Sequence, residues 1–81
     1  MKIVVDAMGG DFAPKVNVDG AIDALREYPD MDIILVGPQA LVEETISAYG
    51  DAEALGRVRE RLTVVDAPEA VSYTHLRAHE T

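Results

Sequence analysis

Lys2-Ile3-Val4-Val5-Asp6 runs directly into Ala7-Met8-Gly9-Gly10-Asp11-Phe12-Ala13-Pro14. The first of these stretches is a short apolar run rich in β-branched side chains, and it stops at a glycine pair. Continuous apolar runs suit a strand buried on both faces, as in a parallel sheet. From Val16 to Tyr28 the spacing changes. Val18, Ala21, Ile22 and Leu25 fall on one face, with Asp19, Asp23 and Arg26 opposite, which predicts an amphipathic helix. Pro29 closes it, because a residue before proline avoids the helical region.

Working outward, the pattern repeats. Asp32-Ile33-Ile34-Leu35-Val36 reads as a second strand ended by Gly37-Pro38. Pro38 suits the first turn of another helix. That helix runs from Gln39 to Tyr49, with Leu41, Val42, Ile46 and Tyr49 as its apolar face and Gly50 placed to end it. Asp51 to Arg61 is a weaker helical pattern carrying Leu55 and Val58. Arg57, Arg59 and Arg61 within it read as its wet side rather than as a basic patch. Leu62-Thr63-Val64-Val65-Asp66 is a third strand, broken by Ala67-Pro68. The alternation predicts an α/β fold: a three-layer-type, Rossmann-like parallel sheet, cut to β-α-β-α-β, with right-handed crossovers.

The chain has 81 residues, 7 Lys plus Arg against 15 Asp plus Glu, a net charge of −8 and no cysteine. One small domain is the most that this length supports. The acidic balance argues against nucleic acid, whose phosphates call for clustered cations. The missing cysteines exclude a disulfide framework and a thiolate metal site. The start lacks the apolar run of a secretion signal, and no stretch has the length of a membrane span. These features make the cytoplasm the expected compartment.

The chemistry-bearing stretch is Asp6-Ala7-Met8-Gly9-Gly10-Asp11, at the carboxyl end of the first strand and ahead of a helix. Open α/β sheets bind ligands outside the carboxyl ends of their strands. Glycines permit positive φ and close approach of backbone to ligand, and free N–H groups at a helix start favour an anion. Two aspartates work against a phosphate unless they cap backbone donors or hold the loop. The plain alternative is a tight turn whose aspartates cap the helix and tie the loop. Neither the three-glycine dinucleotide spacing nor a Gly-Lys-Ser/Thr phosphate loop is present. Met8 is expected to pack under the sheet, Phe12 to anchor the loop, and Tyr28 and Tyr49 to pack at helix ends. Residues 1–71 contain no histidine or cysteine, so a histidine-paired nucleophile has no place there.

The opening MKIVVDAMGGDFAPKVNVDGAIDAL closely resembles the start of the bacterial phosphate acyltransferases that transfer acyl groups from acyl carrier protein to phosphate. The motif is a short strand, then Asp6-Ala7-Met8-Gly9-Gly10-Asp11, then a variable residue, then Ala13-Pro14. The likeness continues through Gly20-Ala21, Ile34-Leu35-Val36-Gly37 and Leu62-Thr63-Val64-Val65 to Ala67-Pro68-Glu69-Ala70-Val71. The resemblance implies an enzyme that makes acyl phosphate for phospholipid synthesis from acyl-acyl carrier protein and inorganic phosphate. It also implies a homodimer working in the cytoplasm near the membrane surface, without a cofactor or metal. Asp6, Ala7, Met8, Gly9, Gly10 and Asp11 are then part of the substrate-binding loop. Gly9 and Gly10 face phosphate through their backbone, and Asp6 and Asp11 fix the loop. The catalytic residues are not among those the motif carries over, and the 81-residue chain is expected to be inactive alone. Other readings are a phosphate- or nucleotide-binding module without catalysis, or a non-functional truncated product.

After Val71 we expect the likeness to that family to end. Ser72-Tyr73-Thr74-His75-Leu76-Arg77-Ala78-His79-Glu80-Thr81 resembles the translation of a sequencing adapter, and we read 72–81 as a non-native, disordered tail. His75 and His79 are four apart, but two histidines supply only half of a tetrahedral zinc shell.

Overall fold

The computed structural model describes residues 1–67. The readings of residues 68–81, including the tail and its histidines, lie outside them. The element order is β1 (Lys2–Asp6), α1 (Lys15–Glu27), β2 (Asp32–Gly37), α2 (Gln39–Ser47), α3 (Ala52–Val58), a 3-10 turn (Arg59–Arg61) and β3 (Leu62–Asp66). The strands form one parallel sheet in the order β1-β2-β3. This is the β-α-β-α-β, Rossmann-like arrangement expected from the alternation.

Register explains where the core sits. Ile3 pairs with Ile33 and Ile33 with Leu62, and Val5 pairs with Leu35 and Leu35 with Val64. These residues share one face, because side chains along a strand alternate. Val18, Ala21, Ile22 and Leu25 of α1 pack with Ile33, Leu35 and Leu62 of this face and with Val42 and Ile46 of α2. The α1 positions follow i, i+3, i+4, i+7, the spacing that turns one helical stripe inward.

The other face is open among the described residues. Val4 is 65% exposed and Val65 46%. The continuous apolar runs led us to expect burial on both faces. The strand order gives the reason. Both crossovers step in the same direction, and two right-handed crossovers of that kind place their helices on the same side. The helices therefore form one layer, and the third layer of the fold class is not among residues 1–67.

Several local expectations change. Helix α2 ends at Ser47 rather than Tyr49. Gly50 is not its left-handed stop, since Gly10 is the single glycine with positive φ among the described residues. The stretch 51–61 splits. Asp51 caps α3 by accepting from the Ala54 N–H at 3.0 Å, and the chain then tightens into the 3-10 turn.

The arginines are not simply a wet face. Arg59 donates to both carboxylate oxygens of Glu43, at 2.8 and 3.1 Å. Arg61 donates to the carbonyls of Leu25 at 2.9 Å, Tyr28 at 3.1 Å and Met31 at 2.9 Å. Leu25 lies in the last turn of α1, where carbonyls lack intrahelical partners, and the planar five-donor guanidinium reaches it together with the carbonyls of the cap residue Tyr28 and of Met31 ahead of β2. We expect Arg61→Ala to lower stability by about 1–3 kcal/mol, the usual cost of losing hydrogen bonds to a charged group. Urea unfolding measures it. An unchanged midpoint would show that water replaces the arginine without cost.

Tyr49 ties α1 to the α2–α3 connection. Its hydroxyl donates to Asp23 at 2.5 Å and accepts from Arg26 at 2.9 Å. The bond to Asp23 raises the phenol pKa above its usual 10.0 more than Arg26 lowers it. A group whose folded pKa is raised contributes stability at lower pH and loses it as pH climbs through that value. We therefore expect Tyr49 to ionise above the usual 10.0 of a phenol in an absorbance titration, with its share of stability lost only above about pH 10. A Tyr49 whose ionisation moves to lower pH than that of a free phenol would contradict this.

Candidate functional site

The carboxyl edge of the sheet carries the loop Asp6–Asp11. Its path begins with the Ala7 N–H, which donates to the Val36 carbonyl at 2.9 Å and so extends the β1–β2 pairing by one step. Ala7 is fully buried. Gly37, at the end of β2, lets the loop lie close. A Cβ there would sit 3.1 Å from Val42 Cγ2 and 3.4 Å from both Ala7 Cβ and Met8 Cγ. Met8 is half-buried against this glycine.

Asp6 turns the chain. Its Oδ1 accepts from the Met8 N–H at 3.0 Å, and its carbonyl accepts from the Gly9 N–H at 3.3 Å. This is the side-chain-to-backbone pattern by which aspartate favours turns. Gly10 then takes φ +92, where a Cβ would meet nothing within 4 Å. That conformation favours glycine because an L side chain is strained there, not because space is short. Gly9 has no positive φ, and a Cβ on it would lie 3.4 Å from Asp6 Oδ2, an ordinary contact.

Neither aspartate caps α1. The cap position is Pro14, without a side-chain hydrogen bond, and the Ala13–Pro14 peptide is cis. Asp11 is exposed, as is Phe12 at 76%, so Phe12 does not anchor the loop. Tyr28, at 50% exposure, packs less than expected. The residue that does hold the loop is Asn17 in the first turn of α1, whose Nδ2 donates to the carbonyls of Asp6, Ala7 and Gly9. Asn17 carries no sequence signal, since asparagine in a first helical turn reads as a solvated residue. Asp66 was also missed. From the end of β3 its Oδ1 accepts the Gln39 N–H at 2.9 Å, capping α2 from another strand.

The structure thus brings Asp6, Ala7, Met8, Gly9 and Gly10 together with Gly37 and Asn17 and leaves Asp11 at the rim. Lys15 stands beside the loop with its ammonium 2.6 Å from Asp19, a partner that raises its pKa. A groove of about 390 Å³ opens between α1 and α2, bounded by Pro14, Lys15, Leu41 and Thr45 among others. It does not include Asp6–Asp11. Among the described residues no three His, Cys, Asp or Glu side chains group as a metal site, and no helix is long and apolar enough to cross a membrane.

The sequence pattern of the family described as "Fatty acid synthesis protein" matches residues 1–80. The chain belongs to the fatty acid synthesis protein family. Among relatives of this family chain, the phosphate acyltransferase of Clostridium novyi is 40% identical over 72 residues, covering 89% of this chain and 20% of that protein. The phosphate acyltransferase of Clostridium tetani is 42% identical over 72 residues, again 89% and 20%. That of Vibrio parahaemolyticus is 36% identical over 70 residues, covering 86% and 19%. This member of the family spans about one fifth of the length of these relatives.

Proposed function

We propose that the protein to which these residues belong transfers a fatty acyl group from acyl carrier protein to inorganic phosphate, giving acyl phosphate for phospholipid synthesis. The observation that carries the reading is the Asp6–Asp11 loop at the carboxyl end of β1, in a chain whose relatives in Clostridium novyi and Clostridium tetani bear the name phosphate acyltransferase. A phosphate oxygen attacks the thioester carbonyl carbon, the C–S bond breaks, and the carrier leaves as its thiolate. Phosphate must be held in line for this attack, and fixed backbone donors do so without reorganising.

In this reading Asp6, Ala7, Met8, Gly9, Gly10 and Asp11 form part of the substrate site. Gly10 begins the stretch whose N–H groups face phosphate. Gly9, whose N–H is bonded to Asp6, supplies the close approach, and Asp6 spends its carboxylate on the loop instead of opposing the anion. The protein acts as a homodimer in the cytoplasm at the membrane surface, with no cofactor.

The 81-residue chain alone makes no acyl phosphate. Among the described residues three strands leave exposed sheet edges and one uncovered face, too little to form both walls of a cleft. The test places residues 1–67 in the Clostridium novyi relative in place of its own corresponding segment. The graft is expected to turn acyl-acyl carrier protein and phosphate into acyl phosphate, and the isolated chain is not. A folded graft without activity would sink the reading. Acyl phosphate from the isolated chain, abolished by Asp6→Ala, would show that the chemistry is local to the loop.

A further inference from the structure

We infer that Asn17 is a positioning residue for the substrate loop, turning its carbonyls toward α1 so that the N–H groups from Gly10 onward are left for the anion. The inference rests on the acyl-transfer reading above. The side-chain nitrogen lies 2.9 Å from the Asp6 carbonyl oxygen, 3.2 Å from that of Ala7 and 2.7 Å from that of Gly9. An amide NH2 has two hydrogens, so three acceptors share them in part. Where three carbonyl oxygens converge, only a donor is tolerated. The amide oxygen there would face three sets of lone pairs, which fixes the orientation of the side chain.

The loop's own donors sort in the same way. Ala7 gives its N–H to Val36, Met8 to the Asp6 side chain and Gly9 to the Asp6 carbonyl. Every N–H up to Gly9 is therefore spent inside the fold. The N–H groups of Gly10, Asp11, Phe12 and Ala13 take part in none of the backbone hydrogen bonds among the described residues. The positive φ of Gly10 marks the point where the chain turns from the inward set to the outward set. Asn17 holds the inward half rigid, and the outward half is anchored to it through a single glycine.

A purely helical role for Asn17 predicts the opposite response to aspartate. Negative charge in a first helical turn is favourable, so Asn17→Asp would be neutral or stabilising. As a clamp, Asn17→Asp sets a carboxylate against three carbonyl oxygens and is the worst substitution. Asn17→Leu keeps the bulk and removes the donors, and its effect falls between the two.

Two readouts separate this inference from the reading it rests on. Amide hydrogen exchange is measured in the 81-residue chain and in the graft, taking the loop N–H groups of Met8 and Gly9 relative to those of β2. Both variants should exchange faster in the loop than the parent does, with Asn17→Asp the faster, while β2 is unchanged. In the graft, kcat/KM for phosphate should fall by about a hundredfold, as expected for a misplacement of roughly 1 Å, with KM for the acyl carrier substrate unmoved. Loop exchange equal to the parent's in both variants, or an Asn17→Asp loop as protected as the parent's, overturns the inference whatever the kinetics show. A parent graft that makes no acyl phosphate counts against the acyl-transfer reading alone, and the exchange data then decide the role of Asn17.

Discussion

Gly10→Val should remove most of the acyl transfer of the grafted enzyme, by about a hundredfold, while moving its melting temperature far less. Gly10 holds φ +92, and a Cβ there has nothing within 4 Å. The substitution therefore introduces backbone strain and no collision. A branched residue at positive φ is a genuine outlier, with a cost on the order of 1–3 kcal/mol. The loop is exposed at this point and can relieve the strain by changing its path, so the fold loses little. The N–H groups after Gly10 are then no longer aimed at the anion. Gly9→Ala is the comparison. Its added Cβ makes only ordinary contact within the fold, 3.4 Å from Asp6 Oδ2, so it brings no backbone strain and only crowds the approach to the anion, and activity should fall less than in Gly10→Val. Thermal melts and an acyl-phosphate assay on both variants decide. Equal loss in the two would mean that the pair serves as a flexible hinge, and full activity in Gly10→Val would mean that the loop is only a turn.

Leu35→Ala should cost the 81-residue chain about 2–5 kcal/mol, the range for removing a buried leucine and leaving a cavity. Leu35 is wholly buried on the central strand, between Val5 and Val64 in register and under the helices. A domain this small has total stability of the same order, so the variant should lose its cooperative unfolding transition. Val4→Thr, on the opposite face and 65% exposed, keeps the β-branch and should shift stability by about 0.5 kcal/mol or less. Urea titrations of the two variants read the asymmetry of the sheet directly. A Val4→Thr cost matching that of Leu35→Ala would show that something covers the second face.

The two experiments probe what was hidden in the sequence. In apolar pattern Val4 and Leu35 look alike, since each sits inside a continuous run. Strand order decides between them, because both crossovers lead the same way and place their helices on one side. Gly9 and Gly10 look alike as well, yet only Gly10 takes a left-handed conformation. Phe12 has the size of an anchor but stands in solvent, while the polar Asn17 holds the loop.

By itself the sequence determined the alternation of strand and helix, the parallel class of the sheet, the bounds of β1 and β3, and the placing of Asp6–Asp11 at a strand's carboxyl end. These are encoded by the period of apolar residues and by proline and glycine breaks, which act over a few neighbouring residues. Tertiary structure alone decided the buried face, the glycine that turns the loop, the clamp by Asn17, and the reach of Arg61 to carbonyls near the end of α1. Those depend on where the chain returns in space. Arg61 meets Leu25 across 36 positions, a contact that no local pattern records and that follows only once the sheet has set the helices in place.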